Sequence, residues 1–252
     1  MYYRRGSDTM IDKIKNGLII SCYAGNDYPG DINAEMANPI AMAYVANSVV
    51  AGGATAIRTN LVNLKAVREM VSCPVIGIHK VGNPDNSGDF RITPTMKEVD
   101  LLVANGADGI AIDGTMRPRY DDLTLEQFIH QIKEKYPNLL LIADISTAEE
   151  GIKAYSYGAD MVGTTLSGYT PYSRNPIVFG TIPTPEPDYE IIRELKANGV
   201  EHIIAEGRYH TGEHLVKAYE AGATAVVVGT SITSPKKIVQ SLLYDAELAR
   251  GK

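Results

Sequence analysis

Charged side chains end several short apolar runs of this sequence, and they are the first candidates for chemistry. Lys80 directly follows PVIGIH, Asp144 ends LLLIAD, and Glu206 ends HIIAE. Arg58 follows the run ATAI. A lysine, an arginine and two carboxylates brought together could remove a proton from carbon and stabilise the enolate that forms. We therefore take these four residues as the candidate catalytic groups.

Lys80 is the most distinctive of them because its charged side chain directly continues an apolar strand. Burial and a nearby positive charge such as that of Arg58 would lower the pKa of this lysine toward the neutral range, where it could act as a base. The same charged residues could instead form a ring of ion pairs that only ties the strand ends together. Both interpretations bring these side chains together at one end of the fold.

Two glycine-containing segments near the end of the chain have the features of an anion site. AEGRYHTGE (205–213) and VVVGTSITSP (226–235) each run from an apolar strand through a glycine to hydroxyl residues that can begin a helix. Free backbone N–H groups at such turns bind phosphate in barrel enzymes. The candidate phosphate-binding residues on these segments are Gly207, Gly229, Thr230 and Ser231.

The other residue patterns predict no metal or cofactor site. His210 and His214 have the spacing of two ligands on one helix face, but no acidic or cysteine partner stands at a metal-site spacing. Neither HExxH nor a GxGxxG between a strand and a helix occurs. Cys22 and Cys73 lie in apolar stretches without an adjacent base, which favours buried, reduced thiols. We therefore expect neither a metal nor a cofactor.

Eight short apolar runs, with helical stretches between them, are the elements that must position these residues. The runs are LIISCYA (18–24), ATAIRTN (54–60), PVIGIHK (74–80), GIAIDG (109–114), LLLIADIS (139–146), MVGTTLS (161–167), HIIAEG (202–207) and AVVVGTS (225–231). Consecutive Val, Ile and Leu residues are typical of strands buried on both faces. Stretches such as YEIIRELKANG repeat apolar residues at helical spacing and end at a glycine. Eight strand–helix units predict an α/β fold, a (β/α)8 TIM barrel, with an open doubly wound sheet as the alternative.

The chain is predicted to form one barrel domain over residues 1–252. A proline-rich segment, 170–188, falls between the sixth strand and its helix. We interpret it as a long loop at the active-site end rather than as a linker between domains.

Composition and charge indicate which classes of partner are disfavoured and where the protein is located. The 252 residues include 24 Lys and Arg and 30 Asp and Glu, which gives a formal net charge of −6. This acidic balance argues against nucleic acid or an anionic membrane as a partner. No apolar run approaches the roughly 18 residues of a membrane span, and the N-terminus lacks the apolar core of a signal peptide. We therefore expect a cytoplasmic protein.

The motifs TMRPR, DISTAEEG, TTLSGYT and AEGRYHT occur in this order. With them the sequence resembles the N-acetylmannosamine-6-phosphate 2-epimerase family over about residues 17–235. The resemblance implies a barrel of the ribulose-phosphate-binding type and interconversion of N-acetylmannosamine 6-phosphate and N-acetylglucosamine 6-phosphate. It also implies a role in bacterial amino-sugar and sialic-acid catabolism, without cofactor or metal. A sugar phosphate is then the expected partner, and a homodimer is the expected assembly.

The resemblance also assigns roles to residues. The family's catalytic lysine falls on Lys80, its substrate-binding arginine on Arg58 and its acidic residues on Asp144 and Glu206. The arginine after the second acid falls on Arg208, and the phosphate-site glycines fall on Gly207 and Gly229.

The sequence departs from the family pattern at two other positions. Tyr23, a candidate substrate-binding residue, stands where the family has glutamine. Ser234 stands where the family has arginine. We expect Lys236 or Lys237 to supply part of the charge lost there.

Two other classes of function fit the same residues. Many phosphate-binding barrels are lyases, synthases or aldolases, and some of these use a Schiff-base lysine at a strand end. A non-catalytic sugar-phosphate sensor would bind the ligand without exchanging its C2 proton.

Overall fold

A computed structural model describes residues 5–24, 34–83, 86–178 and 181–251. Eight parallel strands close into a barrel, and each lies beside its neighbours in chain order until the last pairs with the first. The strands are β1 (Gly17–Ser21), β2 (Ala56–Asn60), β3 (Val75–Ile78), β4 (Lys80–Asn83), β5 (Asn86–Ile92), β6 (Gly109–Asp113), β7 (Leu140–Asp144), β8 (Met161–Gly163), β9 (Ile203–Glu206) and β10 (Ala225–Val228). All of them except β4 and β5 form the barrel. The predicted (β/α)8 barrel is confirmed.

Helices surround the barrel and connect its strands. They are α1 (Arg5–Ile14), α2 (Pro39–Ala51), α3 (Leu61–Met70), α4 (Met96–Ala104), α5 (Leu125–Lys135), α6 (Ala148–Ser156), α7 (Tyr189–Ala197), α8 (Gly212–Ala221), α9 (Thr230–Thr233) and α10 (Pro235–Ala249). A single 3-10 turn (Ala34–Met36) precedes α2. No helix in the described ranges is long and apolar enough to cross a membrane.

The strand residues alternate between two apolar layers, which explains why their sequences are apolar throughout. Ile19, Ile76 and Ile142 belong to the cluster that fills the barrel. Ile20 and Leu141 belong to the larger cluster between the strands and the helices. Since both faces are buried, every position of these strands favours an apolar side chain until the strand ends.

The helix ends are defined by capping residues in the sequence. Thr147 begins α6 by accepting a hydrogen bond from the Glu150 N–H, and the Glu150 carboxylate accepts one from the Thr147 backbone N–H. Gly222 ends α8 with a φ of 109°, and a Cβ there would lie 2.6 Å from the side chain of Lys196. The predicted glycine ends of the helices are confirmed at this site.

A hairpin of β4 and β5 follows β3, and the sequence analysis missed it. The third barrel strand was expected to run to Lys80, but it ends at Ile78, and Lys80 begins β4 of the hairpin instead. Lys80 pairs with Ile92, and Gly82 pairs with Phe90. Polar residues dominate this segment, so it lacks the continuous apolar run by which the barrel strands were recognised.

The connection from β8 to α7 contains no helix or strand in its described parts, 164–178 and 181–188. The predicted long loop, 170–188, lies within this connection, although residues 179–180 fall outside the described ranges. The prediction of one domain over 1–252 also includes residues outside those ranges and stays a prediction.

Candidate active site

A cavity of about 880 Å³ opens at the carboxyl ends of the barrel strands. Every predicted site residue except Asp144 lines it: Tyr23, Arg58, Lys80, Glu206, Gly207, Arg208, Gly229, Thr230 and Ser231. The long β8–α7 connection contributes Ile177, Ile182 and Thr184 to the wall. The barrel thus brings together residues that are up to 208 positions apart between Tyr23 and Ser231 in the sequence.

Arg58 and Asp144 form a buried pair at the base of this cavity. The Arg58 guanidinium donates two hydrogen bonds to the Asp144 carboxylate, at 3.2 and 2.5 Å. Arg58 is 2% exposed and Asp144 0%. Burial alone would lower the pKa of Arg58, but Asp144 and Glu206 overcome this effect and raise it above its usual value. Arg58 is therefore a permanent cation with a fixed orientation.

Glu206 is the second carboxylate beside Arg58, and it approaches a guanidinium nitrogen that also contacts Asp144. Its carboxylate is 3.3 Å from the guanidinium, and its side chain is partly exposed to the cavity. The Thr165 hydroxyl lies 2.6 Å from the Asp144 carboxylate and 3.2 Å from that of Glu206. Burial raises the pKa of Glu206, and the charges of Arg58 and Lys80 oppose that rise. A carboxyl group with a raised pKa can exchange a proton more readily near neutral pH.

Lys80 reaches the same cavity from the hairpin. Its ammonium nitrogen lies 4.2 Å from the centre of the Tyr23 ring and 4.9 Å from that of Phe90. The expectation that Arg58 lowers the pKa of Lys80 stays a prediction. The structure adds that two carboxylates, Asp144 and Glu206, already compensate the charge of Arg58.

The turns after β9 and β10 contribute backbone and hydroxyl groups to the cavity. Gly207 has a φ of 107° and Arg208 a φ of 70°, so the chain turns sharply where β9 ends. The Arg208 guanidinium donates to the Ser167 and Glu186 carbonyl oxygens, which ties this turn to the β8–α7 connection. After β10, Gly229 leads directly into the short helix α9. Backbone N–H groups at such turns favour an anion.

The two lysines expected to replace the missing arginine differ in position. Lys237 lines the cavity and donates to the Thr181 carbonyl oxygen at 2.9 Å. Burial lowers its pKa. Lys236 instead pairs on the surface with Glu35 at 2.6 Å. Ser234 caps helix α10 by accepting from the Lys237 N–H. The structure therefore favours Lys237 as the additional cation.

The two histidines of the sequence motif pack against each other. The rings of His210 and His214 are 4.3 Å apart and nearly perpendicular. His214 is buried, and burial together with His210 lowers its pKa. In the parts of the chain that the structure describes, no group of three or more His, Cys, Asp or Glu side chains could hold a metal ion.

The two cysteines are free. Cys22 is buried, and burial raises its pKa to about 12, so its thiol is unreactive. Cys73 is only partly buried, contrary to the expectation that both thiols are buried.

Sequence reasoning missed two residues that contact the candidate catalytic groups. Phe90 was missed because its hairpin was not recognised. Thr165 was visible among the polar residues after the sixth strand, but its sequence neighbourhood gives no sign that it bridges Asp144 and Glu206. Only the alignment of neighbouring strands brings these three side chains together.

The fold and the site define a (β/α)8-barrel enzyme with its charged residues at the carboxyl ends of the strands. A family model described as "Putative N-acetylmannosamine-6-phosphate epimerase" matches residues 42–246. The chain belongs to this epimerase family, as its motifs indicated.

Three comparisons illustrate the similarity. A curated protein of Caldanaerobacter subterraneus is 46% identical over 92% of this chain and 91% of its own. One from Cutibacterium acnes is 41% identical over 92% of this chain and 94% of its own. Both carry the name "Putative N-acetylmannosamine-6-phosphate 2-epimerase". The solved N-acetylmannosamine-6-phosphate 2-epimerase from Clostridium perfringens is 38% identical, covers 94% of this chain and 96% of its own, and superposes with a TM-score of 0.80.

Proposed function

We propose that this protein interconverts N-acetylmannosamine 6-phosphate and N-acetylglucosamine 6-phosphate in amino-sugar and sialic-acid catabolism. The observation that carries the proposal is that Arg58, Lys80 and Glu206 line one cavity with the turns at Gly207 and Gly229. One part of this cavity can exchange a proton at carbon, and the other can bind an anion. Membership of the epimerase family supports the same substrate pair.

The chemical step begins with the open-chain sugar, since only this form has a C2 proton made acidic by the C1 carbonyl. The neutral amine of Lys80 takes that proton, and the electron pair of the C–H bond forms an enolate with its charge on the C1 oxygen. Arg58 stabilises this charge with a guanidinium that Asp144 already orients. Return of a proton to the opposite face of C2 gives the epimer, so no atom is gained or lost.

Glu206 is the second candidate for proton transfer. Its carboxylate lies beside Arg58 and close enough to Lys80 for their charges to interact. In a two-base mechanism, Lys80 and Glu206 serve opposite faces of C2. In a one-base mechanism, Lys80 serves both faces while the intermediate rotates. Asp144 is 0% exposed and pairs with Arg58, so its role in either mechanism is to position the guanidinium.

The phosphate would bind at the turns after β9 and β10. Gly207, Gly229, Thr230 and Ser231 line that part of the cavity, and Lys237 adds a positive charge from the first turn of α10. Tyr23 and Arg208 complete the wall around the sugar.

The test is to incubate the protein with N-acetylmannosamine 6-phosphate in heavy water and follow C2 by proton NMR. The proposal expects loss of the C2 proton signal together with appearance of the other epimer. Binding without exchange would identify a sensor instead. Trapping of substrate on Lys80 by borohydride would identify a Schiff-base enzyme.

A homodimer in the cytoplasm, without nucleic acid as a partner, is the setting we propose. None of the residues of α10 is buried. Its large apolar side chains are strongly exposed: Val239 54%, Leu242 64%, Leu243 60% and Leu248 58%. Such a surface is typical of a contact with another protein chain. The net charge of −6 argues against nucleic acid.

A further inference from the structure

Two aromatic rings from different elements meet at the Lys80 ammonium. Tyr23 follows β1, whereas Phe90 lies on β5 of the hairpin. The distances of 4.2 and 4.9 Å from the nitrogen to the ring centres are within the range of a cation–π interaction. Tyr23 is 3% exposed, so its ring is a fixed part of the cavity wall.

The hairpin register accounts for the place of Phe90. Lys80 pairs with Ile92, and Gly82 pairs with Phe90, so Lys80 and Phe90 are diagonal neighbours on one face. Diagonal partners are within reach of aromatic and long side chains. Gly82, which pairs with Phe90, has no side chain of its own to contact the ring.

We propose that Tyr23 and Phe90 are positioning residues that clamp the Lys80 ammonium between two rings and favour its charged form. The proposal rests on the proposed function only in taking Lys80 as the proton-transferring residue. The negative faces of the rings attract a cation and not a neutral amine. The clamp therefore fixes the nitrogen at one place and stabilises the state that returns the proton to carbon.

An ion-pair network outside the cavity holds the hairpin that carries Phe90. Asp89 accepts hydrogen bonds from Arg91 at 2.6 Å and from Arg117 at 3.2 Å. Arg117 also donates to Asp113, the last residue of β6, at 2.6 Å. Since Asp89 and Arg91 flank Phe90 in the sequence, this network ties the ring to the barrel wall.

Other charges also act on Lys80. Among the described residues, the other charged or histidine side chains that line the same cavity are Arg58, Glu206, Arg208, His210, Lys237 and Asp245. Asp144 lies behind Arg58 and is paired with it. Replacement of Phe90 changes none of these groups, so any change in the titration of Lys80 reports on the ring.

The test compares Phe90→Leu with two other variants. Phe90→Tyr keeps a ring at the same place and should behave like the unchanged protein. Tyr120→Leu is the matched control, because Tyr120 contacts the same hairpin through the Val81 carbonyl oxygen and stacks near Arg91 at 5.6 Å, away from Lys80. Lysine labelled with ¹³C at Cε gives an NMR titration of Lys80, assigned by its loss in Lys80→Arg. The pH dependence of kcat is measured in parallel.

Phe90→Leu should lower the pKa of Lys80 by roughly half a pH unit or more. The limb of the kcat profile that reports Lys80 should move in the same direction. Phe90→Tyr and Tyr120→Leu should leave both unchanged. An unchanged titration in Phe90→Leu, or an equal shift in Tyr120→Leu, would overturn the clamp.

A second variant covers the case in which Phe90→Leu does not fold. Tyr23→Leu removes the other ring from a different element and should shift the titration in the same direction, and no shift would again overturn the clamp. If the proposed function is wrong, the protein without substitutions will not exchange the C2 proton, and this result is measured separately. The NMR titration would still decide on the clamp in that case.

Discussion

The Arg58 guanidinium makes two hydrogen bonds to the Asp144 carboxylate, and both side chains lie inside the barrel. A buried cation of this kind is tolerated because its partner is close and well aligned. The structure also distinguishes Arg58 from Asp144, which had similar positions at the ends of apolar runs in the sequence. Both end apolar runs, but Arg58 lines the cavity and Asp144 lies behind it. We therefore expect Asp144 to act on the reaction through Arg58.

Replacement of this carboxylate is the first test of that role. Asp144→Asn should lower kcat by roughly 10²–10³-fold, as expected when a group that stabilises an oxyanion loses its orientation. It should also lower the free energy of unfolding by about 3–5 kcal/mol, since Arg58 loses its principal partner. Steady-state kinetics and urea unfolding measure the two effects.

Asp160→Asn is the matched control for that experiment. Asp160 is 4% exposed and pairs with Lys133 at 2.8 Å, but neither residue lines the cavity. This variant should lose stability and keep its kcat. If Asp160→Asn and Asp144→Asn lowered kcat equally, the prediction that Asp144 acts by orienting Arg58 would be refuted.

A second prediction separates the one-base and two-base mechanisms. Lys80→Ala should abolish both turnover and C2 deuterium exchange while substrate still binds. If Glu206 is the second proton carrier, Glu206→Gln should block epimerisation but still let Lys80 exchange deuterium into one epimer. Proton NMR in heavy water follows both processes.

Two outcomes decide between the alternatives. Equal loss of exchange and epimerisation in Glu206→Gln would favour the one-base mechanism. Full activity in Lys80→Ala would refute the role of Lys80.

The third prediction concerns the phosphate end of the cavity. Lys237→Met should raise KM for N-acetylmannosamine 6-phosphate by roughly 10-fold or more, because a charge-assisted hydrogen bond to the phosphate is lost. Lys236→Met is its matched control, since Lys236 pairs with Glu35 on the surface. Unphosphorylated N-acetylmannosamine should be a poor substrate for all three proteins. If Lys237→Met and Lys236→Met had equal effects on KM, Lys237 would not be a phosphate-binding residue.

The fourth prediction concerns the exposed face of α10. An isolated helix of 15 residues is only marginally stable in water, and no residue of α10 is buried. We therefore expect the protein to sediment as a dimer, and Val239→Glu combined with Leu243→Glu to convert it to a monomer. Val216→Glu on α8, where the side chain is equally exposed at 54%, should leave the dimer intact. A monomeric unchanged protein in sedimentation equilibrium would contradict the prediction.

The barrel could be predicted from the sequence because both faces of its strands are buried. The strands are then largely apolar up to their carboxyl ends, where polar residues such as Asp113, Asp144 and Glu206 appear. The same rule marked the candidate site, since the carboxyl ends of all eight strands converge on one face of the barrel.

The hairpin could not be predicted in this way because its strands are apolar on one face only. Ile92 packs into the barrel core, whereas Asp89 and Arg91 form ion pairs. Arg91 is only 7% exposed, yet nothing in its sequence neighbourhood marks it as buried. The choice between Lys236 and Lys237 was also beyond the sequence. Successive residues of a helix point about 100° apart, so only the position of α10 relative to the cavity decides which lysine reaches it.

The last prediction is the effect of Glu206 on stability at different pH values. Burial raises the pKa of this carboxyl above its ordinary value of 4.5, although Arg58 opposes the rise. Between pH 4.5 and the raised pKa, the folded protein binds more protons at this site than the unfolded chain does. The contribution of Glu206 to stability is therefore fully present below about pH 4.5 and is lost as the pH rises through the folded pKa.

Glu206→Gln removes this contribution because glutamine does not titrate. The free energy of unfolding of the variant, relative to the unchanged protein, should thus increase as the pH rises from 4 to 8. Urea unfolding at several pH values measures the difference. Glu149→Gln is the control of opposite sign, since the hydrogen bond from Lys153 lowers the pKa of the exposed Glu149 and its carboxylate therefore stabilises the fold at higher pH. A relative stability of Glu206→Gln that fell with rising pH would show that Arg58 outweighs burial at this carboxyl.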